Sequence, residues 1–288
     1  MNIKEALETA GKILKSRNIQ TPVREAGVLL AHVIKKDLSY IYAHSEEKLS
    51  DELVREFFDV VGKRGSGMPF QYISNRQEFM SLDFYVDQNC LIPRPDTEIL
   101  VEAALKVIKK YQSPVRILDI GTGSGAIAVS IAYYDKNTVI DAIDISENAL
   151  EIAAANAAKH GVEGRINFIN ADIRHFTAKK PYAVVVSNPP YIPSGEIENL
   201  MPEVAHFEPL IALDGGEDGM DFYRVIASKL ESLLTSDGTV LTEVGIGQDS
   251  FVMELFEEKG MNVEVLKDLA GINRVVVGCF GKFSLKIV

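Results

Sequence analysis

The sequence predicts an α/β protein: a doubly wound sheet with its ligands at the carboxyl ends of the strands, preceded by a small helical region. Three observations predict it. From "VRILDIG" onward, short apolar stretches alternate with helical patterns, as in successive βαβ units. One of these stretches, "ILDIGTGSGAIAVSIA", passes through a glycine turn directly into a helix. The first 65 or so residues, by contrast, carry helical periodicity.

Taken in order, Ile3, Leu7, Ala10 and Leu14 fall on one helical face, and Thr21-Pro22 supplies an N-cap followed by proline at the first helical position. Ser50-Asp51-Glu52 opens another helix, in which Leu53, Phe57 and Val60 or Val61 share a face, and "GKRGSGMP" ends it. The stretch "FMSLDFYVDQNCLIP" alternates apolar and polar residues about a "DQN" turn, which predicts a β-hairpin. Seven strands are expected near 115–119, 139–144, 166–170, 183–187, 239–244, 263–267 and 274–279. Helices fit near 125–133, 147–159, 219–234 and 249–259. The expected organisation is a helical domain over 1–75, a hairpin connector over 76–95 and a sheet domain over 96–288.

Composition narrows the function. At 47% hydrophobic and 25% charged, the 288 residues are ordinary for a globular protein. The net charge of −11 argues against nonspecific binding to a duplex, since proteins that neutralise phosphates carry a basic face. Residues 1–80 hold 12 basic and 11 acidic side chains, so the acidity belongs to the sheet region. Two cysteines, Cys90 and Cys279, cannot build a disulfide framework and suit a reducing cytosol. Neither a signal peptide nor a membrane-spanning run is evident, and a cytoplasmic protein is expected.

Glycines at 121, 123 and 125 remove β-carbons where the backbone must turn sharply and approach a ligand, and the following helix offers free N–H groups. The pattern also fits a dinucleotide site, with Asp144 placed for ribose hydroxyls. Asp119, two residues before the first glycine, favours another ligand. Its carboxylate suits an ammonium and a sulfonium and would repel a pyrophosphate. Asp172 ends the third strand, near where an adenine amino group would lie. One acid at a strand end is an ordinary turn residue; three on successive strands beside a glycine loop form a set.

That set resembles the class I S-adenosylmethionine-dependent methyltransferases. The resemblance implies a Rossmann-like sheet of seven strands with the last antiparallel, and first and fourth strands side by side. It implies cofactor contacts at Asp119, Gly121, Thr122, Gly123, Ser124, Gly125, Asp144, Asp172, Ile173 and Asn188, with S-adenosylhomocysteine as product and no metal. Some relatives carry an aromatic where Ile173 stands, so the adenine would meet an aliphatic surface here.

The fourth strand ends in "SNPPYIP". Two prolines withdraw this corner from regular pairing and bias Asn188 and Pro189 toward extended geometry. A planar –NH2 needs two acceptors, and the Asn188 side-chain oxygen and the Pro189 carbonyl can supply them as preorganised groups. Pro190 stiffens the corner, and Tyr191 offers a flat face for a planar group. Asn188 and Pro189 are therefore the candidate catalytic residues, with Pro190 and Tyr191 completing the substrate site.

The corner alone leaves the amine's owner open among adenine, guanine and glutamine. Two further segments narrow it: "LIPRPDTEILVE", a proline turn leading into a helix, and "FEPLIALDGGEDGMDFYRVI", a glycine turn before a helix with Phe222, Val225, Ile226 and Leu230 inward. With them the chain resembles, over nearly its whole length, the release factor glutamine methyltransferases called HemK or PrmC. This implies transfer of methyl to the side-chain nitrogen of the glutamine in the Gly-Gly-Gln motif of class 1 peptide chain release factors. A monomer is expected, with a release factor as partner, the helical domain docking its body, and neither nucleic acid nor membrane engaged directly. A DNA or RNA exocyclic-amine methyltransferase would use the same corner, but would call for a basic groove or an added recognition domain. A nicotinamide-dependent oxidoreductase leaves "NPPY" unexplained. A cofactor-binding protein without activity is the remaining reading.

Overall fold

The computed structural model describes residues 1–112 and 114–281, so the last seven residues of the expected sheet domain lie outside the described residues. The chain divides into two compact units: Met1–Asn75 with Met201–Phe207, and Arg76–Leu200 with the chain from Glu208 onward.

Five helices make up most of the first unit: α1 (Ile3–Ser16), α2 (Pro22–Ile34), α3 (Leu38–Ala43), α4 (Asp51–Gly65) and α5 (Phe70–Ser74). A capping box starts α1, with Asn2 Oδ1 accepting from the Glu5 amide and Glu5 Oε2 from the Asn2 amide. Asp37 and Ser50 cap α3 and α4 through their side chains. Thr21 does not do the same for α2. It occupies the N-cap position in a left-handed conformation with φ of 50°, and its side chain makes no capping bond, although Pro22 does take the first helical turn. Ile3, Ala10, Leu14, Leu30, Ile41 and Phe57 form the core of this unit, with Leu7 and Leu53 at its margin.

The second unit begins with β1 (Gln77–Phe79) and β2 (Leu82–Phe84), an antiparallel hairpin. Its turn is Met80-Ser81, not the Asp87-Gln88-Asn89 that the sequence suggested. Both turn residues have positive φ, 50° and 56°, as a two-residue loop matched to the twist of its strands requires. Neither is glycine, so the conformation is held from outside: the Met80 amide donates to Glu98 Oε1 at 2.6 Å and the Tyr134 hydroxyl to the Met80 carbonyl at 2.6 Å. Asp87 makes only a local turn, accepting from the Asn89 amide.

After α6 (Glu98–Ile108) come β3 (Val115–Ile120), α7 (Ala126–Tyr134), β4 (Thr138–Asp144), α8 (Glu147–Lys159), β5 (Ile166–Asn170) and β6 (Tyr182–Ser187). A short α9 (Pro202–Ala205) belongs to the first unit, where Arg64 pairs with both Glu25 and Glu203. The remaining elements of the described residues are α10 (Asp221–Leu233), β7 (Leu234–Glu243), α11 (Asp249–Glu257), β8 (Asn262–Lys267) and β9 (Asn273–Cys279). The seven long strands lie in the order β5-β4-β3-β6-β7-β9-β8, and β9 alone runs antiparallel to its neighbours. β7 starts at Leu234, earlier than the 239 read from the sequence, with a shift of register against β6 between Tyr182 and Val184.

Alternation along the strands separates two cores. Ile117, Val184 and Val186 join α6, α7 and the hairpin on one face. Leu118 and Val185 join α10 and α11 on the other. Tyr223, Ile226, Ala227, Leu230 and Leu233 are the buried positions of α10, whereas Phe222 and Val225 are only partly covered and Phe222 reaches a cleft. Among the described residues no helix is long and apolar enough to cross a membrane.

One buried amide on α8 ties the hairpin exit to the glycine loop. Asn156 accepts from the Tyr85 amide at 2.7 Å and donates to the Tyr85 and Ser124 carbonyls at 3.0 and 2.9 Å. Replacing Asn156 by Ala strands these backbone groups, and should lower unfolding stability by about 2 to 4 kcal/mol in urea denaturation. A loss below about 0.5 kcal/mol would contradict this role.

Candidate functional site

Parallel pairing of β3 with β6, Ile120 opposite Ser187, brings two carboxyl-terminal loops side by side. Buried Ser187 reinforces the junction by donating to the Ile120 carbonyl at 2.9 Å. A cleft opens where these loops diverge, at the point where strand order reverses.

Gly121 and Gly123 line it with φ of 71° and 56°, and a β-carbon on either would meet nothing within 4 Å. The backbone here is free for close approach by a ligand. Gly125 serves another end: with φ of 79°, its missing β-carbon would stand 3.0 Å from Ala153, so it lets α7 pack on α8. Thr122 and Ser124 are buried and do not line the cleft.

Asp119 is wholly buried and is absent from the cleft lining. It does point at the loop, but its Oδ2 accepts from the Thr122 hydroxyl at 2.7 Å, which corrects the picture of a carboxylate open to a ligand. Among the described residues its Oδ1 has no hydrogen-bond partner. Burial pushes its pKa up to about 7, with Thr122 and the Ala128 amide drawing it partly back. Asp144 lines the cleft and braces the same loop, accepting from the Gly123 amide at 2.8 Å and the Ser146 amide at 2.9 Å. Burial raises its pKa against these bonds.

Asp172 and Ile173 also face the cleft. The Asp172 carboxylate is already paired with the Arg174 guanidinium at 2.8 Å, so the backbone beside it is the freer group. Burial works to raise the Asp172 pKa, but the bonds to Arg174 outweigh it and hold it below the usual range. Ile173 is buried in the α10 core and presents an aliphatic wall. Cys90 lines the same cleft, and burial pushes its thiol up to about 12, so it stays protonated.

On the other side of the cleft stand Asn188, Pro189 and Pro190. No backbone N–H among the described residues donates to the Pro189 carbonyl. Tyr191 does not line the cleft: its carbonyl accepts from Gln248 Nε2 at 2.8 Å, and burial pushes its hydroxyl up to about 12. Tyr191 therefore anchors the corner. The glycines of "ALDGGEDGM" make that anchorage fit, because a β-carbon on Gly219 would lie 2.4 Å from the Tyr191 carbonyl oxygen.

The segment "RPDTE" finds a separate partner for each polar residue. Arg94 pairs with buried Glu208 at 2.5 Å, Asp96 with Arg274 at 3.0 Å, Thr97 with Glu243 at 2.6 Å, and Glu98 with the Met80 amide. Thr97 also accepts from Asn188 Nδ2 at 3.1 Å. Thr97 and Glu243 were not among the site residues expected from the sequence. The available signals were the polar Thr242-Glu243 pair directly after the apolar Val240-Leu241, and the quoted "RPDTE" itself. Burial pushes the Glu243 carboxyl up to about 7. Among the described residues no cluster of three or more His, Cys, Asp or Glu is placed to hold a metal ion.

Chemically, the cleft combines a glycine backbone open to close approach, carboxylates at two strand ends, an aliphatic wall and two oxygens on a rigid corner. Comparison with known proteins agrees in kind. Residues 5–74 match the family model for the PrmC N-terminal domain, and 96–204 that for the methyltransferase small domain. A release factor glutamine methyltransferase of Clostridium acetobutylicum is 39% identical over 284 residues, covering 98% of this chain and 99% of the relative. One from Moorella thermoacetica is 38% identical, covering 95% and 97%. The crystal structure of a methyltransferase from Pyrococcus furiosus shares the fold at 17% identity and a TM-score of 0.52, covering 74% of this chain and 94% of that one.

Asp119 and Glu243 give the ligand-free protein a signed pH dependence. Both pKa values lie above those of the unfolded chain, so from about pH 4 to 7 the unfolded state releases protons that the folded state retains. Each group therefore costs stability as pH rises through that window. Relative to wild type, Asp119→Asn should gain stability progressively between pH 5 and 7 in urea titrations. A difference independent of pH would contradict the raised pKa.

Proposed function

The chain belongs to the release factor glutamine methyltransferase family, and we propose that it transfers methyl from S-adenosylmethionine to the side-chain nitrogen of the Gly-Gly-Gln glutamine of class 1 peptide chain release factors. The observation that carries this reading is the placement of Asn188 and the Pro189 carbonyl across one cleft from the Gly121–Gly123 backbone. Near-full-length similarity to relatives bearing that name supports the choice of glutamine over a nucleobase. The net charge of −11 agrees with it, because a basic protein tip is steered by an acidic partner.

S-adenosylmethionine suits the residues present. Gly121 and Gly123 admit close backbone approach, Asp144 retains lone pairs for ribose hydroxyls, and Ile173 with the backbone at Asp172 borders the adenine. Asp119 acts through the loop by holding Thr122. When bound, this cofactor supplies an electrophilic methyl group and a neutral leaving group.

The protein's task is then to hold a weak nucleophile. Asn188 Oδ1 and the Pro189 carbonyl each accept one N–H of the glutamine amide, fixing the plane of its nitrogen. Orienting two reactants in this way can contribute about 7 to 11 kcal/mol. The prolines make the contribution possible, since neither acceptor is committed to a sheet ladder. Such a substrate places the enzyme in the cytoplasm, and the helical unit docks the body of the factor.

Labelled S-adenosylmethionine incubated separately with release factor, duplex DNA and ribosomal RNA tests the assignment. Label on the Gly-Gly-Gln glutamine is expected, and label on nucleic acid alone would overturn it. Asn188→Ala should lower turnover roughly 10²- to 10³-fold while cofactor affinity changes only a few-fold; comparable turnover would remove Asn188 from this role. Deleting residues 1–75 should reduce kcat/KM on intact factor far more than cofactor affinity, and equal kinetics would contradict docking by the helical unit.

A further inference from the structure

An asparagine amide can face a cleft with its oxygen or, after a half-turn, with its –NH2. Only the first orientation accepts hydrogen bonds from an amide nitrogen. At Asn188 the choice depends on groups behind it. Its Nδ2 lies 3.1 Å from Thr97 Oγ1, which in turn lies 2.6 Å from Glu243 Oε2. Thr97 and Glu243 are 4% and 2% exposed, so water does not offer them alternative partners.

A threonine hydroxyl has one proton, and an ionised carboxylate can only accept. With Glu243 ionised, the Thr97 proton is committed to it at a distance typical of a charge-assisted O–H···O bond. Thr97 then has only lone pairs for Asn188. The amide must turn its –NH2 to Thr97, leaving Oδ1 as the free end in the cleft.

We propose that Glu243, acting through Thr97, is the positioning residue that fixes the Asn188 amide with its oxygen toward the substrate, and thereby selects a methyl acceptor that brings N–H donors. The inference rests on the reading of Asn188 as an acceptor for the glutamine amide. It adds two residues to the working site and gives "RPDTE" a reason for its threonine.

Among the described residues the charged and titratable groups facing Glu243 are Asp96, Arg274, Tyr191 and Tyr223, whose hydroxyl donates to the Glu243 backbone carbonyl at 3.0 Å. Arg274 is shared between Asp96 at 3.0 Å and Asp268 at 2.9 Å, so it only partly offsets the burial of Glu243. On protonation Glu243 can donate to Thr97, whose own proton then becomes available to Asn188 Oδ1. The amide turns, and its –NH2 confronts the substrate –NH2. Turnover should therefore fall as pH drops through about 7, the value to which burial raises Glu243.

The test uses the full chain, labelled with ¹⁵N at asparagine, in wild-type, Thr97→Val, Thr97→Ser and Glu243→Gln forms. In the wild type the Asn188 side-chain amide signals should shift with a midpoint near pH 7; Glu243→Gln and Thr97→Val should abolish the shift, and Thr97→Ser should keep it. With release factor as substrate, Thr97→Val should lower kcat at least tenfold, with KM for the factor and cofactor affinity within about twofold. Thr97→Ser should recover most of that loss, and Glu243→Gln should remove the acid limb of the kcat profile. Wild-type methylation with Thr97→Val equally fast, or an Asn188 signal indifferent to pH, would overturn the inference while leaving the proposed function standing. A wild type that leaves the factor unmethylated counts against that function instead, and the Asn188 titration still decides the orientation.

Discussion

Parallel pairing of β3 with β6 is the constraint on which the site depends. In register, Asp119 stands opposite Val186 and Ile120 opposite Ser187, so the glycine loop and the proline corner leave the sheet from adjacent positions. The neighbouring strands continue in opposite directions across the sheet, β4 and β5 on one side and β7, β9 and β8 on the other. A cleft at this reversal follows from the topology. The buried cores on both faces hold that pairing, with Ile117 and Val184 turned to one and Leu118 and Val185 to the other.

Around this frame, the polar interactions set orientation more than they add stability. Buried hydrogen-bonded groups gain little net free energy, yet leaving one unpaired is costly. That asymmetry restricts the possible arrangements at the corner. Gln248 has its amide divided between the Tyr191 carbonyl and the Gly245 amide, so the backbone after the prolines has one seat. Arg94, Asp96, Thr97 and Glu98 each engage a different part of the sheet unit, which lets a five-residue segment align several site elements together.

Much of this was legible in the sequence because its signals are local. The glycine turn after "ILDI", the acids at strand ends and the Pro-Pro corner each carry their backbone consequence within a few residues. The hairpin turn was misread because Met80-Ser81 lacks the usual glycine or asparagine; its positive φ is maintained by Glu98 and Tyr134, which are distant in the sequence. Asp119 and Tyr191 were located correctly along the chain, but facing the cleft is a property of packing. Thr97 and Glu243 are 146 positions apart, and nothing in either local pattern announces their partnership. Fold and loop chemistry are thus written in short range, whereas the hydrogen bonds that orient Asn188 exist only once the sheet has assembled.

The central claim concerns which atom of Asn188 meets the substrate. A crystal structure of the enzyme with S-adenosylhomocysteine and a Gly-Gly-Gln peptide would address it directly. The account predicts the glutamine amide nitrogen at about 2.9 Å from both Asn188 Oδ1 and the Pro189 carbonyl oxygen. A glutamine whose carbonyl oxygen instead accepts from Asn188 Nδ2, with Thr97 no longer bonded to that nitrogen, would contradict it.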